Sequence, residues 1–150
     1  MKKLELRKQI IDTCIKSLEQ SAQIIRATID EIIKTASEYE GDHDMFDPFK
    51  DDMMKKKEVQ IQQLEKYLDD IKLMSKVDPQ KIHDKVEFGS IVITDKQKMF
   101  VAVPLGKITI DKESYFAIST QVPVYKAMQD LKVGDTFSIN NNQFTIKEII

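Results

Sequence analysis

Apolar residues along the first eighty positions recur with a period of seven. Leu4, Ile11, Leu18, Ile25, Ile32 and Tyr39 mark one seam position, and Ile15, Ala22, Ile29 and Ala36 mark the other, with a polar lapse at Lys8. A heptad of this kind predicts a helix with one narrow apolar stripe. No Gly or Pro interrupts residues 1–40, so the predicted helix runs from about residue 4 to 40, roughly 55 Å at 1.5 Å per residue. Gly41 is placed to end it, since glycine takes the left-handed cap conformation without steric cost. Asp47-Pro48 then reads as an N-cap followed by proline at the first helical position. Met54, Ile61, Leu64, Leu68 and Ile71 resume the heptad, with Lys57 and Ser75 as weak members, until Asp78-Pro79 stops it. Two helices with one seam each and a short connection predict an antiparallel hairpin. That solution is favoured over an intermolecular coiled coil because each helix finds its partner at low loop-closure cost.

After Asp84 the period changes to two. The runs VEFGSIVITD, KMFVAVP, SYFAIST, TFSIN and QFTIKEI read as five short strands, and Asn140-Asn141-Asn142 as a hairpin turn. Between the third and fourth runs, Pro123 starts a short helix whose Val124, Ala127, Met128 and Leu131 share one face. The expected fold class is α+β: an antiparallel coiled-coil hairpin over 1–78, then a small antiparallel β-domain with one helix over 79–150.

Composition narrows the function. Charged residues make up 32% of the 150, yet the net charge is −2, so bulk charge does not mark a nucleic-acid binder. A single cysteine, Cys14, excludes an internal disulfide framework and reads as a small apolar filler beside the seam. The amino-terminal segment is too charged for a signal peptide and no apolar run approaches a membrane span, so a cytoplasmic protein without membrane contact is expected. There is no phosphate-binding glycine loop, no nucleophile elbow, and no His/Cys set with zinc spacing.

The unusual stretch is EYEGDHDMFDPFKDD, residues 38–52, in which seven of fifteen residues are carboxylates and Lys50 is the one cation. The densest negative charge thus falls where the hairpin turns, over 41–52. Asp51 and Asp52 are explained by the positive end of the following helix. Asp42 and Asp44 lie outside both predicted helices, where capping explains them less well. An EF-hand reading fails because Phe46 and Asp47 occupy the positions of a ligand and of the required glycine, and Met53 that of the bidentate acid. Phe46 and Phe49 are read as staples of the turn, packing on Tyr39 or Met53, with partner contact as the other use of Phe46. Lys55, Lys56 and Lys57 fall on different sides of one turn, which favours a solvated helix face.

The chain resembles the bacterial GreA/GreB transcription elongation factors. Val86-Glu87-Phe88-Gly89-Ser90-Ile91-Val92 is similar to the family's V-x-F-G-x-x-V opening strand. Residues 119–135, STQVPVYKAMQDLKVGD, are similar to its S-x-x-S-P-x-x-x-A-L-x-G-K-x-x-G-D segment, matching at Ser119, Pro123, Ala127, Lys132, Gly134 and Asp135, with Val122 in place of the serine. Gly41-Asp42 resembles the G-D of the family's G-D-L-x-E-N tip. The resemblance implies an FKBP-like β-domain that docks on bacterial RNA polymerase through Ser119, Val122 and Pro123. It implies a hairpin that enters the secondary channel, and so acts indirectly on nascent RNA in a DNA-bound complex. The acidic tip would help hold a shared Mg²⁺ at the polymerase active site through Asp42, Asp44 and Asp47, none of it bound tightly by the factor alone. The factor would then be no enzyme itself and would lend Asp42 and Asp44 to transcript cleavage; apart from the resemblance, a monomer is expected, although the sequence does not fix the oligomeric state. One departure bears on cleavage: the family's second acid falls on Met45, which cannot bind a hard cation. Two other readings stay open: channel binding without cleavage, as a regulator or inhibitor, and a hairpin adaptor or chaperone with an isomerase-like β-domain.

Overall fold

The computed structural model describes residues 2–39 and 48–150. Two long helices come first: α1 over Lys2–Glu38 and α2 over Pro48–Met74. Six strands and a short helix follow: β1 (Ile91–Thr94), β2 (Lys98–Val101), β3 (Gly106–Ile110), β4 (Glu113–Ile118), α3 (Pro123–Met128), β5 (Thr136–Ile139) and β6 (Asn142–Ile149). The chain forms two compact units, one of Lys16–Ile71 and one of Met1–Ile15 with Lys72–Ile150.

In the helical unit, Leu18, Ala22 and Ile29 of the expected seam are buried. The two helices run in opposite directions past each other: Ile32 and Ala36 of α1 line one groove with Met53 and Lys57 of α2, and Thr28 and Ile32 line another with Met53 and Gln60. Pro48 is the first helical residue of α2, as its missing N–H and preset φ favour. Asp47, expected as its cap, lies outside the described residues. Leu68, expected in the seam of α2, is 38% exposed.

In the other unit the sheet order is β3-β4-β2-β1-β6-β5. The expectation of an all-antiparallel sheet is corrected here, because β2 and β4 pair in parallel, with Met99 opposite Phe116 and Val101 opposite Ile118. The cause lies after β2. Pro104 centres a tight turn in which Leu105 N–H donates to Val103 O at 2.9 Å, a conformation proline's φ suits. The chain then runs out as β3, a strand absent from the five expected runs. It reverses through Asp111 and Lys112, both at positive φ, and returns as β4 beside β2. β3 escaped the sequence reading because only Ile108 and Ile110 of its five residues are apolar. The expected run over 86–95 also shortens. Gly89 (φ +89°) and the Ser90 N–H to Glu87 O bond (3.0 Å) make residues 87–90 a turn, and β1 begins at Ile91. The Asn140-Asn141 turn is found as read, both residues at positive φ, the geometry of a two-residue hairpin.

Strand alternation divides the sheet's side chains between two faces. Val92, Met99, Val101, Ile146 and Ile149 form a core with Phe137 and with Tyr125 and Met128 of α3, supported by Val122, Val124 and Leu131. On the other face Ile91, Phe100 and Ala117 are buried. The first turns of α1 lie beside β6, since Lys3 Nζ sits 3.6 Å from Glu148 Oε1 and Arg7 Nη1 donates to Ile150 O at 3.2 Å. Here the heptad reading of α1 is also corrected. Leu4, an expected seam residue, is 37% exposed, whereas Arg7, Ile10 and Cys14 are fully buried. These turns belong to the same compact unit as the sheet, and there residues beside the heptad seam are the buried ones.

Candidate functional site

The site read from the sequence lies where α1 gives way to α2. Asp42, Asp44, Met45, Phe46 and Asp47 lie outside the described residues, as does His43. The two sides of that segment are described. Tyr39 follows α1, Phe49 is the second residue of α2, and their rings pack with centroids 4.2 Å apart at 33°. This is the staple expected of Phe49 on Tyr39.

Below the rings, Ile32, Ile33 and Ala36 face Lys50, Met53, Met54 and Lys57 around a groove of about 200 Å³. Ala36 is small, and the long flexible side chains opposite leave the helices incompletely packed at this level. Asp52 is accounted for structurally: Lys56 Nζ lies 3.2 Å from its Oδ2, one helical turn on. Such an exposed pair contributes about 0.3–0.5 kcal/mol. Lys55 and Lys56 are exposed while Lys57 turns toward the groove, so the three lysines do not form one patch. Among the described residues no group of three or more His, Cys, Asp or Glu is arranged to hold a metal ion.

The expected docking residues lie together before and at the start of α3. Ser119 is half-buried, and its Oγ accepts from Gln121 N at 3.2 Å. Val122 packs against the core beneath, and Pro123 is exposed at the first position of α3. Pro123 and Ser119 are thus presented to solvent while Val122 anchors the segment from below.

A second polar centre was not foreseen. Arg7 is fully buried and donates to three carbonyl oxygens: Gly89 at 2.7 Å, Ile150 at 3.2 Å and Asp78 at 2.6 Å. Burial lowers the guanidinium pKa and the Asp78 charge works against that shift. Beside it, His83 is buried with Nδ1 2.6 Å from Glu87 Oε1, and Lys81 Nζ lies 3.5 Å from the same oxygen. Burial lowers the His83 pKa, opposed by the Glu87 hydrogen bond. The hydrogen bond from His83 lowers that of Glu87. A neutral imidazole donating from Nδ1 to the carboxylate satisfies both shifts. Nothing in the sequence marks Arg7, because its partners lie 71 to 143 residues away. Only its place one residue before the polar lapse at Lys8 hints that the seam is not purely apolar there.

Cys14 is buried and its thiol is pushed up to about 12 by desolvation, in keeping with the filler role. No helix among the described residues is long and apolar enough to cross a membrane.

No protein-family model matches the chain, and no curated protein matches it. Several solved structures do, two of them over most of its length. One is the GreA factor homolog 1 (Gfh1) protein of Thermus thermophilus, 20% identical, covering 91% of this chain and 94% of that one with a TM-score of 0.37. The other is the transcription factor Gfh1, 19% identical, covering 90% of this chain and 92% of that one with a TM-score of 0.37.

Proposed function

We propose that this chain is a secondary-channel factor of bacterial RNA polymerase that modulates the enzyme without cleaving its transcript. The observation that carries the reading is the Tyr39–Phe49 contact. It joins two long antiparallel helices on either side of a segment, residues 40–47, that holds four carboxylates and no Lys or Arg. A coiled-coil pair spanning residues 1–78 would enter the channel. The mixed sheet with α3, over 79–150, takes the place of the family's FKBP-like domain, and Ser119 and Pro123 meet the polymerase with Val122 beneath them. The factor acts in the cytoplasm as a monomer and supplies no reaction of its own.

Met45 separates regulation from cleavage. Two-metal phosphoryl chemistry requires oxygen ligands around a hard cation, and a thioether in the second acid's place removes one. Asp42, with Asp44 or Asp47, would then perturb the polymerase's own Mg²⁺ without completing the second site. The cleaving reading remains the second one, because Asp44 or Asp47 offers a replacement oxygen near Met45.

The test is a defined elongation complex, stalled and backtracked, mixed with the full-length protein. Slower nucleotide addition with no shortening of the RNA supports the regulator. Shortening that disappears with Asp42→Asn plus Asp44→Asn selects the cleaving reading. No co-sedimentation with polymerase and no effect on either rate would leave the adaptor or chaperone in their place.

A further inference from the structure

We infer that the surface meeting the polymerase extends from Ser119 and Pro123 back along β4 to Phe116, with Lys107 of β3 beside it. The ring serves as an apolar anchor and the lysine as a flanking cation, matched to an apolar patch of the polymerase that carries a carboxylate. The inference rests on the channel-factor reading above and adds to it two residues that the family resemblance does not name.

Among the described residues no aromatic side chain is more exposed than Phe116, at 38%. Register fixes the face it stands on. Side chains two apart on a strand share a face, and Ile118 packs against the core that includes Tyr125 and Met128 of α3. Phe116 therefore stands on the α3 side of the sheet. It lies opposite Met99 of β2 on one side and Lys107 of β3 on the other. Met99 is buried in the core beneath α3, whereas Phe116 and Lys107 are exposed. The cover of the helix thus ends between β2 and β4. Beyond it Thr109 is exposed and Ser114 opposite is half-buried, so short hydroxyl side chains leave the ring accessible.

Aromatic residues favour strands for their own sake, and a single exposed one is ordinary. Place and neighbour set this one apart. Ser119 follows three residues later, about 10 Å away at the rise of a strand. A specific protein interface covers about 800 Å² on each partner, a patch roughly 30 Å across. A partner seated on Ser119 and Pro123 therefore reaches Phe116. Buried aromatics are among the residues that carry most binding energy, and flanking charges set orientation and association rate. Directly paired strand residues hold their Cβ atoms about 5 Å apart, which puts Lys107 beside the ring. Among the described residues Lys107 forms no salt bridge, so its charge is available to a carboxylate of the partner.

The experiment measures binding of the full-length protein to purified bacterial core RNA polymerase by titration calorimetry. The proteins are wild type, Phe116→Ala, Phe116→Tyr, Lys107→Glu and, as reference for the docking segment, Pro123→Ala. Phe116→Ala is expected to raise Kd about five- to thirty-fold, and Phe116→Tyr to stay within about twofold of wild type. Lys107→Glu should raise Kd about three- to tenfold and flatten its dependence on salt. If Pro123→Ala weakens binding while Phe116→Ala and Lys107→Glu stay within about twofold of wild type, the extended surface is overturned and the channel reading stands. The same holds if Phe116→Ala leaves polymerase binding intact but abolishes self-association or binding to a single-stranded RNA oligonucleotide, since the ring then serves another partner. Should Phe116→Ala lower the melting midpoint by more than about 4 °C, Lys107→Glu decides in its place, and an unchanged Kd overturns the inference. A wild-type protein that does not bind polymerase overturns the channel reading and this inference together.

Discussion

Arg7 Nη1 donates to Gly89 O at 2.7 Å across 82 residues of chain. The same guanidinium also holds the carbonyls of Asp78 and Ile150. One buried cation therefore ties the start of α1, the segment after α2 and the end of β6. The planar fork of arginine reaches several acceptors at once, which a lysine ammonium on a flexible stem does not reproduce.

Replacing Arg7 with Leu should therefore cost about 3 kcal/mol, because each buried carbonyl left without a donor costs about 1–3 kcal/mol. In a chain of this size that is a drop of roughly 6–12 °C in melting midpoint. Arg7→Lys should recover less than half of it. Thermal unfolding followed by circular dichroism checks both values; a loss below about 1 kcal/mol would contradict the role of the three bonds.

Acid should weaken the fold through His83 and Glu87. The folded-state pKa of His83 lies below its ordinary value, so its contribution is flat above about pH 6.5. As pH falls from there, the unfolded chain takes up a proton that the folded one resists, and stability declines toward the folded pKa. Glu87 is also lowered; its contribution is present above the unfolded carboxyl value and is lost as pH falls through the folded one. Both slopes have the same sign. Denaturant unfolding between pH 7.5 and 4 should show this decline, and His83→Gln should flatten its upper part between about pH 6.5 and 5.

Gly89 stands at φ +89°, and a Cβ there would meet Val77 Cγ1 at 3.5 Å and His83 Nε2 at 3.6 Å. These are ordinary contacts, so the cost of Gly89→Ala is set by the backbone, about 1–2 kcal/mol. Chemical denaturation is the measurement. A neutral result would mean that the 87–90 turn relaxes without loss.

Cys14 should be inert in the native protein. With its thiol pushed up to about 12 and no exposed surface, almost no thiolate exists at neutral pH. An aromatic disulfide reagent should label it only after denaturant is added. Rapid labelling without denaturant would refute its burial.

Met45→Glu returns an oxygen to the place where the family's acid pair has one. Under the regulator reading this single change should make RNA shortening appear in a backtracked complex that wild type leaves intact. If Met45→Glu leaves the RNA uncut, the missing acid is not what separates regulation from cleavage.

Much of this was legible in the sequence. Leu18, Ala22 and Ile29 are buried where the heptad placed them, Pro48 opens the second helix, and the Asn140-Asn141 turn reverses the chain at positive φ. The contact of Phe49 with Tyr39 followed from the habit of stapling a helix start with aromatics. Each of these depends on residues close in sequence, or on a repeat that one helix displays by itself.

What only the tertiary structure decided depends on distant partners. β4 lies parallel to β2 because the chain leaves through the Pro104 turn and comes back by way of β3, and strand periodicity carries no information about a strand's neighbour. Arg7 is buried one residue before the polar lapse at Lys8, because carbonyl oxygens up to 143 residues away accept from its guanidinium. A hydrophobic pattern counts apolar side chains one element at a time. It determined where the helices and most strands form, and left to the assembled fold which polar group could be held within.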